Sequence, residues 1–265
     1  MKYLWLLLLL LATPAAAQTV ERSYGPGPRQ RLDFTPAERA DAPLVMFIHG
    51  GAWSFGDKRI AAHMARHFHA RGYAFASVNY RLVPDATVEQ QAFDVATALA
   101  DLARAGQPAI LIGHSAGAHL AALVGTDPRY LAAHGMPLSA IRGIVLLDGA
   151  GYDVPRQIEA AGPLLRRMYL RAFRGDPAMQ RMLSPISHTA APNAAEFLIL
   201  HVASRPDSRA QSEALAAALA AAGTSATVAA VEGSHGSIFR QFGQPGHTAT
   251  ALTDAFTARI FGSRR

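Results

Sequence analysis

A serine with glycine two positions to either side, in Gly113-His114-Ser115-Ala116-Gly117, is the residue set in this chain with the clearest chemical meaning. It follows the apolar run Pro108-Ala109-Ile110-Leu111-Ile112 and leads into Ala118-His119-Leu120-Ala121-Ala122-Leu123, which reads as helix. A serine at the joint between a buried strand and a helix is a nucleophile elbow. The turn is so tight that side chains at the flanking positions would clash, and it holds the serine backbone in a strained conformation. The hydroxyl then stands exposed at a helix N-terminus, where backbone N–H groups can stabilise developing negative charge. Upstream, His49-Gly50-Gly51-Ala52-Trp53 follows a second apolar run, Leu44-Val45-Met46-Phe47-Ile48. A Gly-rich turn there can offer N–H donors to the oxyanion of a tetrahedral intermediate. The expected donors are the N–H groups of Ala116, Gly51 and Ala52. Together the two motifs point to acyl-group chemistry on a serine.

These residues, with Asn79-Tyr80-Arg81-Leu82, resemble the α/β-hydrolase esterases related to hormone-sensitive lipase, arylformamidase (kynurenine formamidase) and bacterial carboxylesterases. The resemblance runs over roughly residues 24–260 and is less specific around Asp207 and His235. Ala52 stands where the lipase-type His-Gly-Gly-Gly motif has its third glycine, a change that keeps the N–H donor. The tryptophan that follows leans toward the arylformamidase-like branch. In this fold the chain order is serine, acid, histidine. The expected base is His235, in the small-residue loop Gly233-Ser234-His235-Gly236-Ser237 after the last strand, where no bulky neighbour blocks its ring. His201 and His247 read as packing, surface or cap residues. The expected acid is Asp207, in Ser204-Arg205-Pro206-Asp207-Ser208 after the penultimate strand. Asp148, directly after an earlier strand, is the competing acid, Asp153 a third, and an N-cap is the alternative role for Asp207. Trp53 is assigned to substrate binding, with a structural plug as the equal alternative. The resemblance implies no metal and no organic cofactor.

The elements that must position these residues alternate along the chain. Short apolar runs at Leu44–Ile48, Tyr73–Val78, Ala109–Ile112, Gly143–Leu147, Phe197–Val202 and Thr227–Val231 read as buried parallel strands. Helical patterns lie between and after them, at Arg59–Arg71, Val88–Ala105, Ala116–Val124, Arg209–Ala222 and His247–Phe261. Such alternation gives a mostly parallel sheet with helices on both faces. Tyr24–Phe34 can add one or two leading antiparallel strands. Tyr152–Ala195 breaks the rhythm with prolines and the basic amphipathic segment Leu164–Phe173; it is expected to form a small cap over the site. His63, His67 and His69 share a helix, but the spacing lacks the Glu of a zinc-binding H-E-x-x-H motif, and a wetted face is the expected reading.

Residues 1–17 have a basic start, an apolar core from Leu4 to Leu11 and an Ala-x-Ala end, the pattern of a secretory signal peptide cut before Gln18. The apolar stretch is shorter than the roughly 20 residues that span a bilayer. An exported location, periplasmic or secreted, is therefore expected, with residues 18–265 as one domain and no stable membrane span after cleavage. With no cysteine in the chain, disulfides and lipid-modified cysteines are excluded. The formal net charge is +6, with arginines at 166, 167, 171, 174, 264 and 265. They are not interleaved with aromatics in a nucleic-acid-binding pattern, so they are read as solvated faces. The expected activity is hydrolysis of small to medium carboxylic esters. Amide or formamide hydrolysis uses the same residues and is the nearest alternative; a silent binding protein on the same fold is the alternative of another class. Oligomeric state is not legible in these residues.

Overall fold

A computed structural model describes residues 18–103, 107–190 and 192–262. The signal peptide expected in residues 1–17, Arg264, Arg265 and the end of the helix expected to run to Ala105 lie outside the described residues. The strands are β1 (Val20–Ser23), β2 (Arg31–Thr35), β3 (Leu44–Ile48), β4 (Ala74–Val78), β5 (Ala109–His114), β6 (Ile141–Leu147), β7 (Glu196–Val202) and β8 (Ser225–Val231). They form one eight-stranded sheet in the order β1-β2-β4-β3-β5-β6-β7-β8. β1 and β2 are the antiparallel edge, pairing Val20 with Phe34, and β2 runs antiparallel to β4; the remaining neighbours are parallel. The leading hairpin therefore begins before Tyr24. The apolar runs became strands because both faces of the sheet are covered. Leu44, Met46 and Ile48 of β3 enter one buried cluster while Val45 and Phe47 enter the other.

The helices are α1 (Ala62–His69), α2 (Val88–Leu102), α3 (Ala116–Thr126), α4 (Arg129–Ala132), α5 (Val154–Ala160), α6 (Pro163–Phe173), α7 (Pro177–Met182), α8 (Pro206–Ala221), α9 (Ser237–Arg240) and α10 (Thr248–Phe261). α2 starts at a capping box: Thr87 Oγ1 accepts from the Gln90 N–H at 3.2 Å, and Gln90 Oε1 accepts from the Thr87 N–H at 2.9 Å. Four of the five prolines of the 152–195 segment sit in the first turns of α5, α6, α7 and a short 3₁₀ turn at Pro185–His188, where their missing N–H costs nothing. Asp153, the third candidate acid, is spent as the cap of α5, accepting from the Arg156 N–H at 3.2 Å.

The chain leaves β3 for β4 on one side and returns to β5 on the other. That reversal is the topological switch point, where parallel sheets open a crevice at the C-terminal ends of their strands. The Gly50–Trp53 turn and the Ser115 elbow both stand there.

Candidate active site

Ser115 follows β5 with φ 54° and ψ −119°, a left-handed conformation that a serine adopts only under constraint. Its N–H is tied to the Leu147 carbonyl at 3.0 Å. The flanking glycines are required by contact. A Cβ on Gly113 would lie 2.3 Å from the Gly117 carbonyl oxygen, and one on Gly117 would lie 2.1 Å from the Ile48 carbonyl oxygen. A Cβ on Gly50 would come within 2.9 Å of the Ser115 Cβ, so the two Gly-rich turns abut directly. Four of the five non-glycine residues with positive φ among the described residues stand here: Ala52 (51°), Trp53 (58°), Ser115 (54°) and Asp148 (47°).

Ser115 Oγ lies 3.0 Å from His235 Nε2, and His235 Nδ1 lies 2.6 Å from Asp148 Oδ2. With the Nδ1 proton donated to the carboxylate, Nε2 is left to accept from the serine hydroxyl. His235 comes from the loop after β8, as expected. The acid does not match the expectation. Asp207 does not face His235; its carboxylate accepts from Arg205 Nη2 at 3.0 Å. The cause is local: α8 begins at Pro206, three residues earlier than its pattern indicates, so Asp207 lies in the first helical turn and is 37% exposed. Asp148 lies at the end of β6 with its side chain fully buried. Its Oδ1 accepts from the Val202 N–H at 3.0 Å, and its own N–H donates to the Leu200 carbonyl at 2.7 Å. β7 thus aims the Asp148 carboxylate at His235. Burial alone would raise the Asp148 carboxyl; hydrogen bonds from His235, Val202 and Ser208, with the Arg205 charge, hold it well below its ordinary value instead.

Two neighbours of this set escaped the sequence reading. Arg205 Nη1 lies 2.5 Å from Asp148 Oδ2 and 2.6 Å from His235 Nδ1, so one guanidinium bridges Asp148 and Asp207 beside the imidazole. The arginine adjoins the expected acid in sequence, but nothing in Ser204-Arg205-Pro206-Asp207 tells which side chain turns inward. His114 donates from Nε2 to the His235 carbonyl at 2.7 Å. Burial, with the neighbouring His235, pushes its imidazole down to about 3, so it is a neutral donor bracing the histidine loop.

Gly51, Ala52 and Ala116 border the same cavity of about 590 Å³ as Ser115 and His235. The N–H groups of Ala52 and Ala116 bond no protein acceptor among the described residues. They are available to an oxyanion. Beneath the turn, His49 Nδ1 is 2.7 Å from the Gly50 carbonyl and its ring stacks on Tyr80 at 4.4 Å. Trp53 touches the cavity, but its side chain is only 1% exposed. Its indole N–H donates to His119 Nδ1 at 3.3 Å, and its ring meets Tyr169 and Phe173 of α6 at 5.9 and 4.6 Å. Its main work is to join the turn after β3 to the 152–195 segment. Leu165, Met168 and Tyr169 of α6 line the cavity from that side.

The histidines of α1 do not form the wetted face expected of them. His63 Nε2 bonds the Phe239 carbonyl at 2.8 Å, His67 Nε2 bonds Asp254 at 2.8 Å, and His69 Nδ1 bonds the Pro36 carbonyl at 3.1 Å. Each ring fastens a different part of the chain.

The BD-FAE family matches residues 32–134. Esterase LipQ of Mycobacterium tuberculosis is 33% identical over 230 residues, which is 76% of this chain and 53% of that one. A kynurenine formamidase of Salmo salar is 35% identical over 107 residues, 38% of this chain and 36% of that one. The chain spans about half the length, or less, of the curated relatives it matches. Among solved structures, esterase B of Lactobacillus rhamnosus superposes with a TM-score of 0.72 at 24% identity, covering 93% of this chain and 84% of that one. The sheet order, the elbow at the switch point and this superposition show the α/β-hydrolase fold, and over 76% of its length the chain is similar in sequence to an esterase.

Proposed function

We propose that this protein hydrolyses carboxylic esters of small to medium size through an acyl-enzyme on Ser115 and, with the leader read in residues 1–17, works outside the cytoplasm. The observation that carries the chemistry is the unbroken hydrogen-bond sequence from Ser115 Oγ through His235 to Asp148, at 3.0 and 2.6 Å. His235 Nε2 takes the serine proton as Oγ attacks the ester carbonyl, and the developing oxyanion is held by the N–H groups of Ala52 and Ala116, with Gly51 beside them. The imidazolium formed is stabilised by Asp148 and returns its proton to the leaving alcohol. Water then enters, loses a proton to His235 and releases the acid. Apart from the hydrolytic water, these steps draw on side chains and backbone of this chain. The names of the esterase relatives support the ester bond as the target.

The same groups can cleave an activated amide, and the likeness to kynurenine formamidases favours that second reading over the 107 matched residues. Leaving-group basicity separates the two. The test is labelling of the folded protein with a fluorophosphonate, followed by mapping of the adduct, beside rates on p-nitrophenyl butyrate and N-formylkynurenine. The expected result is an adduct on the Ser115 peptide that is lost in His235→Ala, with faster turnover of the ester. A folded sample that takes up no probe and hydrolyses neither substrate refutes the proposal.

A further inference from the structure

The cavity above Ser115 has apolar walls and cationic corners. Phe55, Ile60, Leu165 and Phe239 supply the walls, and the charged side chains on its border are Arg205 and Arg240; no carboxylate of the described residues lines it. Arg205 is already engaged by Asp148 and Asp207. Arg240 differs. It forms no ion pair among the described residues, and its guanidinium carbon lies 5.8 Å from the Phe239 ring centroid. Its position is set by a glycine. A Cβ on Gly236 would come 2.1 Å from Arg240 Nη2, so the guanidinium lies directly over the residue that follows His235. Arg167 and Arg171 on the exposed side of α6 add further positive charge without an ion-pair partner among the described residues.

The direction in which a substrate must lie gives that guanidinium its meaning. An ester carbonyl oxygen turned toward Ala52 and Ala116 leaves the alcohol oxygen facing His235 Nε2, which protonates it. Whatever the alcohol carries then continues past His235 toward Gly236, Phe239 and Arg240. A guanidinium laid on an aromatic face beside apolar walls is a strong, directional partner for a carboxylate, because it is less hydrated than a free cation and offers paired N–H donors. Resting on the ester-hydrolase reading, we infer that the preferred substrates are esters whose alcohol part is apolar or aromatic and bears a carboxylate, bound by Arg240.

The test compares 4-carboxyphenyl butyrate with 4-carbamoylphenyl butyrate, which share the acyl group and nearly the same shape and differ in charge. The unaltered protein is expected to favour the carboxylate by about tenfold in kcat/KM, mainly through KM, with the preference shrinking as salt is added. In Arg240→Gln the preference falls to within about twofold, and in Arg240→Lys most of it is kept, since a point charge remains. Hydrolysis of both esters without preference, or a preference that survives Arg240→Gln, overturns the assignment of Arg240. Hydrolysis of neither, in a folded protein, overturns the ester-hydrolase reading with it.

Discussion

Asp148 and Asp207 carry the same functional group and differ in everything around it. Asp148 is buried, aimed by the Val202 N–H and bonded to His235; Asp207 is 37% exposed and shares Arg205. Removing the orienting carboxylate leaves a triad histidine in the wrong tautomer, at a cost of about 10⁴ in kcat. Asp148→Asn is therefore expected to lose about that much activity, whereas Asp207→Asn stays within about threefold. Steady-state rates on a p-nitrophenyl ester decide between them, and equal losses would contradict the geometry. The sequence shows why the two were hard to separate. Each follows an apolar strand, each opens a polar turn, and the early start of α8 that turns Asp207 outward is written only in Pro206, which a turn would carry equally well. Ser115 and His235 were legible because their neighbours are glycines and small residues whose positions the backbone dictates. Arg205 was not, since an arginine beside an acid looks the same whether it is solvated or turned inward.

At the scale of elements, Trp53 and His119 together fasten the segment between β6 and β7 to the site, His119 Nε2 donating to the Leu183 carbonyl at 2.8 Å. Trp53 lies between the turn after β3 and α6, with Tyr169 and Phe173 on its ring and His119 of α3 at its N–H. Truncating a large buried aromatic residue costs about 3–5 kcal/mol. Trp53→Ala is expected to lower stability by that order, read as the urea midpoint, and to expose α5–α7 to limited proteolysis before the rest of the chain. Unchanged cleavage of those helices would show that the segment holds without it. The existence of this segment was legible from its prolines and its break in the strand–helix rhythm. Its anchoring was not, because Trp53 lies more than a hundred residues before Tyr169. The histidines of α1 failed for the same reason: His67 finds its partner at Asp254, on the last helix.

For the molecule as a whole, three imidazoles among the described residues are buried in the neutral form. Burial pushes His49 and His119 down to about 4, and burial with the neighbouring His235 pushes His114 down to about 3. In the unfolded chain each takes a proton near 6.5. Between about pH 6.5 and 4 the unfolded state thus binds more protons, so stability is fully present above that window and falls as the pH drops through it. The slope approaches about 1.4 kcal/mol per pH unit for each group. Urea midpoints measured from pH 7 to 4.5 should decline steadily, and a midpoint flat across that range would refute the account. The sheet itself was the most legible part of the fold, since strands covered on both faces have no choice but to be apolar along their length. The carbonyl of Trp53, held by the Val83 N–H at 3.0 Å and Gln91 Nε2 at 2.8 Å, ties the same residue back to α2. The Gly50–Trp53 turn, α2, α3 and the helices over the cavity therefore share one member and are expected to unfold together. On heating, loss of ester hydrolysis and loss of structure are therefore expected at one midpoint, and an activity midpoint well below the unfolding midpoint would refute the linkage.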